Sequence, residues 1–359
     1  MKVALNAVTL PKSLAGIGFY TEQLVIGMLA VDPGIEITLF TNRDAAAGLG
    51  SLVGRVRIEA FQVSSTIGKV LAAQILLPPR LNGYAILHSV GNVGVRLCPI
   101  PQVATIHDLC QKVVPRRFGA AKRAYLNIGE SWSVRHCERV IADSHSTAAD
   151  LSRFFPIAAG KTTTIHLASK LKVNRGVSGG GDFLFVGTLE PGKNLPMALQ
   201  ALARLREWHG FIGNLRVVGA RGWKQSFLPE LIGKLGLEKQ VEFLGYLDDK
   251  ALCEEYRSAA CLVFPSMYEG FGLPILEAQS QGCLVLSADN SSLREIGGEG
   301  CLYFPTGDVD ALALLMVRAR KDAEMLHCIR EKGFANCSRF NWERTARETL
   351  AVYRAIARS

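Results

Sequence analysis

The sequence predicts an α/β protein built of two Rossmann-like, doubly wound domains, and three observations carry that expectation. The chain has 359 residues, more than a single core of about 250–300 residues accommodates. Short apolar runs alternate with segments of helical spacing along most of its length, the pattern of parallel strands covered on both faces by helices. The alternation breaks once, at Val177-Ser178-Gly179-Gly180-Gly181, and then resumes. The expected domains are therefore 1–172 and 173–339.

In the first domain Val3–Asn6 reads as a buried strand, and Tyr20–Ala30 as a helix behind a glycine loop. Ile35–Phe40, Val56–Phe61, Ala85–Ser89 and Gln102–His107 read as strands, each an apolar run that ends where polar residues appear. Lys122–Cys137 has helical spacing, Arg139–Ala142 is a short strand, and Ser146–Phe154 is a helix opened by a serine cap. In the second domain the strands are Phe183–Gly187, Leu215–Gly219, Val241–Leu244, Cys261–Pro265 and Leu284–Ser287. Helices Leu195–His209, Gln225–Leu235, Lys250–Ser258 and Pro274–Gln281 alternate with them, and Asp310–Arg320 and Asp322–Lys332 follow. Trp342–Ala357 is an amphipathic final helix with Leu350, Tyr353 and Ile356 on its apolar side.

Composition narrows the function classes. With 48% hydrophobic and 20% charged residues and a mean hydropathy of +0.18, disorder over most of the length is excluded. No run approaches the ~18 apolar residues of a spanning helix, and Met1–Ala7 is too short for a signal peptide and reads better as a first strand. Nine scattered cysteines without a Cys-x-x-Cys pair fit reduced thiols in a cytoplasmic protein and no structural zinc. Net charge is +9, carried by the first half: 20 Lys+Arg against 10 Asp+Glu up to Arg175, and 21 against 22 beyond it. Such asymmetry points to an anionic partner facing the first half, a membrane surface or a phosphorylated acceptor, or to a plain solvated basic face. The basic residues are dispersed and form no recognised nucleic-acid module, so nucleic acid is not an expected partner.

Ligands of doubly wound folds bind outside the carboxyl ends of the strands, and two such domains create a cleft. Four loops there are candidates. Gly16-Ile17-Gly18 opens a helix whose first N–H groups suit a phosphate; it lacks the third glycine of a dinucleotide fingerprint, because position 21 is Thr21, and an ordinary tight turn remains open. His107 ends an apolar strand, where it can hydrogen-bond a hydroxyl with Asp108 beside it, or be a structural histidine. The loop from Gly187 to Asn194 places Lys193 where a helix begins, so that its ammonium and backbone N–H groups can hold one anion, unless it is a solvated turn lysine. The strongest loop is Phe264–Ala278, in which Gly270, Phe271, Gly272 and Leu273 can present backbone N–H groups. Its Pro274 suits the first helical position. Glu269 in this turn and Glu277, read as lying in the helix's first turn, can each accept from vicinal hydroxyls such as those of a ribose and a hexose.

Glu269 and Glu277, with seven residues between them, resemble the E-x7-E motif of retaining glycosyltransferases of the GT-B fold, closest to the large bacterial family 4. Phe185-Val186-Gly187-Thr188-Leu189-Glu190-Pro191 with Lys193-Asn194-Leu195 is similar to that family's opening of the second domain. Gly16-Ile17-Gly18-Phe19-Tyr20, Ile106-His107-Asp108-Leu109, Ala142-Asp143-Ser144 and Phe340-Asn341-Trp342-Glu343 with Tyr353 resemble further signatures, so the resemblance covers nearly the whole chain. It implies a nucleotide-sugar donor held mainly by the second domain and a final helix, 340–359, that packs back on the first.

By that resemblance Glu277 would hold the ribose, Glu269 and His107 would contact the transferred sugar, and Lys193 would neutralise the leaving diphosphate. Gly270 to Leu273 would contact sugar and diphosphate through backbone, Gly16 and Gly18 would admit the donor phosphates, and Gly187 belongs to the same donor layer. Tyr246 and Leu247 would lie beside the nucleobase. Where the family commonly has an Arg before the Lys, this chain has Gly192; Arg221 or Lys224 would compensate, or activity or donor geometry would differ.

The resemblance implies transfer of a hexose from a nucleoside-diphosphate sugar, GDP-mannose or a related GDP-sugar, to a glycan or lipid-linked glycan of surface polysaccharide. No permanently bound cofactor is expected, and no metal: the chain lacks an Asp-x-Asp motif, and Asp248-Asp249 reads as a helix cap. The expected location is cytoplasmic, with possible peripheral contact to the membrane. Rival readings are an epimerase-like enzyme of the same fold, a glycogen-synthase-like polymerising enzyme, and a catalytically silent sugar-nucleotide-binding subunit, to which Gly192 lends support.

Overall fold

Lys2–Asn6 (β1) is apolar without alternation because its strand is covered on both faces: Val3, Ala4 and Leu5 are fully buried. The same reasoning builds the rest of its sheet. In chain order the first unit contains α1 (Ile17–Val31), β2 (Glu36–Asn42), α2 (Arg43–Ala46), β3 (Arg57–Phe61), α3 (Thr66–Leu71), β4 (Ile86–Ser89) and β5 (Gln102–Ile106). It continues with α4 (Cys110–Val113), α5 (Ala120–His136), β6 (Arg139–Ala142), α6 (His145–Phe154) and β7 (Thr162–Thr164). The computed structural model describes every residue except 13–15, 177–179, 210–212, 224 and 358–359. The expected linker at Val177-Ser178-Gly179 and the candidate Lys224 lie outside the described residues.

The second unit contains β8 (Phe183–Val186), α7 (Leu195–His209), β9 (Leu215–Val218), α8 (Leu228–Lys234), β10 (Val241–Gly245), α9 (Asp249–Ser258) and β11 (Cys261–Phe264). Then come α10 (Leu273–Ser280), β12 (Val285–Ala288), α11 (Leu293–Gly297), β13 (Cys301–Phe304), α12 (Val309–Lys321) and α13 (Ala323–Cys337), and the chain ends in α14 (Trp342–Ala357). The seven-stranded sheet runs β3-β2-β1-β4-β5-β6-β7 and the six-stranded sheet β10-β9-β8-β11-β12-β13. Every pairing is parallel. In each sheet the first strand lies in the interior and the order reverses beside it, the switch point that opens a crevice at the carboxyl ends.

The units are Met1–Leu167 with Asn341–Ser359, and Ala168–Phe340; the sequence reading sets its divisions at 172/173 and 339/340. β7 and β13 extend the sheets beyond the strands read from sequence, and α8 begins at Leu228 rather than Gln225. Ser144, not Ser146, caps α6, its hydroxyl accepting from the Thr147 N–H.

Helix α14 packs on α1 within the first unit, and a fully buried polar chain fastens it there. The Tyr353 hydroxyl lies 2.5 Å from His88 Nδ1, His88 Nε2 lies 2.7 Å from Thr105 Oγ1, and the Tyr20 hydroxyl lies 2.9 Å from the same Thr105 oxygen. Burial pushes the His88 pKa down to about 3, so the ring is neutral and its two nitrogens need one donor and one acceptor. Tyr353→Phe leaves Nδ1 buried without its partner. It is expected to lower stability by about 1–3 kcal/mol in urea unfolding; an unchanged midpoint would remove this chain as the fastener.

Candidate functional site

In the second unit the loops after β8, β9, β10, β11 and β12 share the carboxyl edge of the sheet. Lys193 closes a single 3-10 turn, Pro191–Lys193, and Asn194 then takes a left-handed φ of 56° before α7 starts. Lys193 thus stands two residues before the long helix, which starts at Leu195 as the sequence reading has it, and Asn194 separates the two windings. Lys193 is not a solvated turn lysine. Its side chain is 17% exposed, lies over Gly187, and donates from Nζ to Glu269 Oε1 at 2.6 Å, the glutamate being 13% exposed. The Met267 N–H donates to the Gly192 carbonyl at 2.9 Å, so the two loops are joined by backbone as well as by charge.

The loop after β12 pins the Glu269 turn from beneath. The Glu269 N–H donates to Ser291 Oγ (3.0 Å), Ser292 Oγ donates to the Phe271 carbonyl (2.8 Å), and Asn290 Nδ2 donates to the Ser266 carbonyl (2.8 Å). Sequence reasoning missed these three residues; the signal was there, a polar Asn-Ser-Ser run directly behind an apolar strand. Gly270, Phe271 and Gly272 are buried and Leu273 half-buried. Gly272 has φ +107° and sits before α10, with its Cβ position 3.0 Å from Leu293 Cδ2, a conformation that a side chain would strain. Pro274 is the second residue of α10, not the first, since Leu273 already has helical geometry.

Glu277 is the fifth residue of α10, beyond the first turn, so the helix dipole is not what holds it. Its carboxylate is 7% exposed, and Oε2 accepts from the Tyr256 hydroxyl of α9 at 3.0 Å. Burial pushes its pKa up, while the nearby Lys170 ammonium and the Tyr256 bond pull it down. Lys170 pairs with Asp249. Asp248 caps α9 by accepting from the Ala251 N–H at 2.8 Å, the role its sequence suggests. The two glutamates therefore have different holders, an ammonium for Glu269 and a phenol for Glu277. Tyr256, buried in mid-helix, carried no sequence signal.

Tyr246 is 69% exposed just past β10, and Leu247 packs partly into the unit's core. Arg221 is exposed, with its backbone bridged to Leu189 in the loop after β8. That contact needs small residues: a Cβ on Gly219 would stand 2.0 Å from the Gly187 carbonyl oxygen. Gly219→Ala forces the two loops apart and is expected to cost about 1–3 kcal/mol and to shift the Lys193 loop; a variant with wild-type melting temperature would show that the loops yield freely.

In the first unit Gly16 precedes α1 with φ +61° and open space at its Cβ position, and Gly18 is a buried residue of the helix's first turn. His107 follows β5. Its partner is not the adjacent Asp108, which accepts from the Cys110 N–H at 2.8 Å, but Asp143, whose Oδ2 lies 2.6 Å from Nδ1. Neighbours in an extended chain point to opposite sides, whereas the parallel partner strand β6 brings Asp143 alongside. Nε2 donates to the Val90 carbonyl at 2.8 Å. Burial opposes a charge on the ring, yet Asp143 overrides it and holds the His107 pKa above the usual imidazole value. Both ring nitrogens are thus engaged, so the ring is fixed in place by Asp143 and the Val90 carbonyl.

Two all-parallel doubly wound sheets in one chain are the architecture of the GT-B class of glycosyltransferase fold. Comparison with known proteins agrees. Residues 15–168 match the family described as "Glycosyltransferase Family 4" and residues 171–335 the family described as "Glycosyl transferases group 1". The O-antigen chain mannosyltransferase B of Escherichia coli is 26% identical over 99% of this chain and 100% of its own length. Among solved structures, the sucrose-phosphate synthase of Thermosynechococcus elongatus matches with a TM-score of 0.78 at 20% identity, covering 99% of each chain. Anabaena Alr3699/HepE, solved with UDP and glucose, matches with 0.74 at 19% identity over 98% of each. The chain belongs to the group 1, family 4 type of bacterial glycosyltransferases and is an enzyme of the hexosyltransferase kind.

Proposed function

We propose that this enzyme transfers a hexose, mannose-like, from a GDP-sugar to a hydroxyl of a glycan or lipid-linked glycan in surface polysaccharide biosynthesis, with retention of anomeric configuration. The observation that carries the reading is the Lys193–Glu269 pair, on a turn held by three side-chain bonds from the loop after β12, eight positions before the Tyr256-held Glu277. The full-length likeness to an O-antigen mannosyltransferase supports the choice of sugar and pathway.

In this reading Glu277 accepts from the donor's ribose hydroxyls and Glu269 from a hydroxyl of the transferred hexose, with Gly187 and the turn from Gly270 to Leu273 in backbone contact with donor. Tyr246 and Leu247 flank the base. As the bond from the anomeric carbon to the diphosphate breaks, charge grows on the leaving oxygen, and Lys193 with Arg221 stabilises it. Within the first unit, Gly16 and Gly18 are assigned to the donor phosphates and His107 to the transferred sugar. The acceptor oxygen bonds to the anomeric carbon on the face the diphosphate leaves, and its proton passes to a diphosphate oxygen. This scheme needs no metal. No helix among the described residues is long and apolar enough to cross a membrane; the basic first half would meet a membrane surface peripherally, from the cytoplasmic side.

The test is a thermal-shift screen of GDP-mannose, GDP-fucose, UDP-glucose and UDP-galactose, followed by transfer assays with lipid-linked mannosyl acceptors, with and without EDTA. A ligand that binds the folded state raises the melting temperature. The reading expects the largest shift from a GDP-sugar, and transfer that survives EDTA. A UDP-sugar preference would overturn the donor, loss of transfer in EDTA the metal independence, and donor turnover without acceptor would favour the epimerase-like alternative.

A further inference from the structure

His107 is held at four points. Beyond Asp143 and Val90 at the ring, its carbonyl accepts from the Thr147 hydroxyl (3.2 Å) and its N–H donates to Asn92 Oδ1 (3.0 Å). The Asn92 amide continues outward from there. Its Nδ2 donates to the Asp108 carbonyl at 3.0 Å and to Glu130 Oε1 at 2.9 Å, which uses both of its hydrogens. Glu130, on α5, is fully buried, and its other oxygen accepts from the Gln111 amide on α4. One asparagine therefore ties the loop after β4 and the loop after β5 to a buried acid on α5.

No salt bridge to Glu130 is found among the described residues, and burial pushes its pKa up to about 8, with the Asn92 bond and the Lys112 charge opposing. A buried acid without an ion-pair partner is destabilising unless hydrogen bonds compensate; one comes from Gln111 on α4, and the other, from Asn92, leads to His107.

We propose that Asn92 and Glu130 are positioning residues for the transfer reaction: through the backbone of His107 and Asp108 they fix where the His107 ring stands against Asp143. The proposal rests on the reading of His107 as a residue acting on the transferred sugar. The charged and titratable groups around the ring are Asp143, Asp108, the neutral His88 and Tyr20, the last stacked edge-on with its centroid 5.0 Å away. Asp143, His88 and Tyr20 share no hydrogen bond with Asn92 or Glu130 among the described residues, whereas Asp108 is bound to Asn92 through its carbonyl, so a change in the ring's state reports on the His107–Asp108 backbone that Asn92 holds.

The experiment uses the full chain and two readouts. The first is the nitrogen-15 NMR signature of the His107 imidazole at neutral pH, assigned with His107→Gln, which needs no substrate. In the wild type both ring nitrogens are expected protonated. In Asn92→Ala and Glu130→Ala one nitrogen is expected to lose its proton signal, while Glu130→Gln, which keeps an acceptor for Asn92, is expected to restore the wild-type pattern. The second is turnover of a nucleotide sugar with acceptor, in which Asn92→Ala is expected to lower kcat about ten- to a hundredfold with donor KM unchanged. A wild-type ring signature in Asn92→Ala, with or without a lower melting temperature, overturns the proposal and leaves Asn92 a structural residue. If the ring signature changes but neither Asn92→Ala nor His107→Gln alters kcat, the positioning by Asn92 stands and the role given to His107 in transfer fails.

Discussion

Lys193→Ala is expected to lower kcat by about 10²–10³-fold, the usual cost of removing one preorganised stabiliser of transition-state charge. Donor KM should change far less, because the leaving diphosphate gains its extra charge only as the sugar departs. The geometry makes the loss specific. Lys193 is already fixed by Glu269 at 2.6 Å and lies beside the Phe264 ring, 5.7 Å from its centroid. It therefore pays little ordering entropy when the donor binds, and its three donors leave two for phosphate oxygens. Family members commonly carry an arginine before this lysine, and Gly192 here removes that cation, so the remaining one bears a larger share. Lys193→Arg should recover part of the rate. Equal kcat in wild type and Lys193→Ala would move the diphosphate to another cation, with Arg221 the first to test.

Glu277→Ala is expected to raise donor KM by about 10–100-fold with kcat changed severalfold at most, since a hydrogen bond to a charged group contributes about 1.5–3 kcal/mol and ribose contacts are uniform binding. Tyr256→Phe removes the phenol that orients the carboxylate at 3.0 Å, and its effect should be smaller and in the same direction. The pH dependence has a definite sign. Burial holds the Glu277 pKa above the usual carboxylate value, with Lys170 and Tyr256 opposing. As pH falls, the group therefore takes up its proton earlier than an ordinary glutamate and stops accepting from both ribose hydroxyls, so donor KM rises on acidification. In Glu277→Gln that rise should vanish. A donor KM independent of pH in the wild type, or unaltered in Glu277→Ala, would take the ribose away from this residue.

Much of this was legible in the chain. Strands such as Arg139–Ala142 and helices such as Leu195–His209 appear with the bounds the apolar pattern gives, because a strand buried on both faces has little choice but to be apolar throughout. Thr162-Thr163-Thr164 escaped because β7 is an edge strand, half-buried and polar. Glu269 and Glu277 stood out by spacing. Their holders did not: Tyr256 looks like any core tyrosine, and Ser291 and Ser292 like any loop serine. Asp108 looked like the partner of His107 only because it is adjacent in sequence.

Most strands and the longer helices, the loops singled out as candidates, the spacing of the two glutamates and the family resemblance were determined by the sequence alone, since periodicity and local turn chemistry are properties of neighbouring residues. Which side chain meets which was decided by the tertiary structure. Lys193 reaches Glu269 across 76 positions, His107 reaches Asp143 across 36, and Tyr353 reaches His88 across 265. Parallel sheets make this unavoidable. Each hydrogen-bonded neighbour lies a full crossover away along the chain, so the pairs that hold a charge in place at the carboxyl edge form only once the strands are side by side.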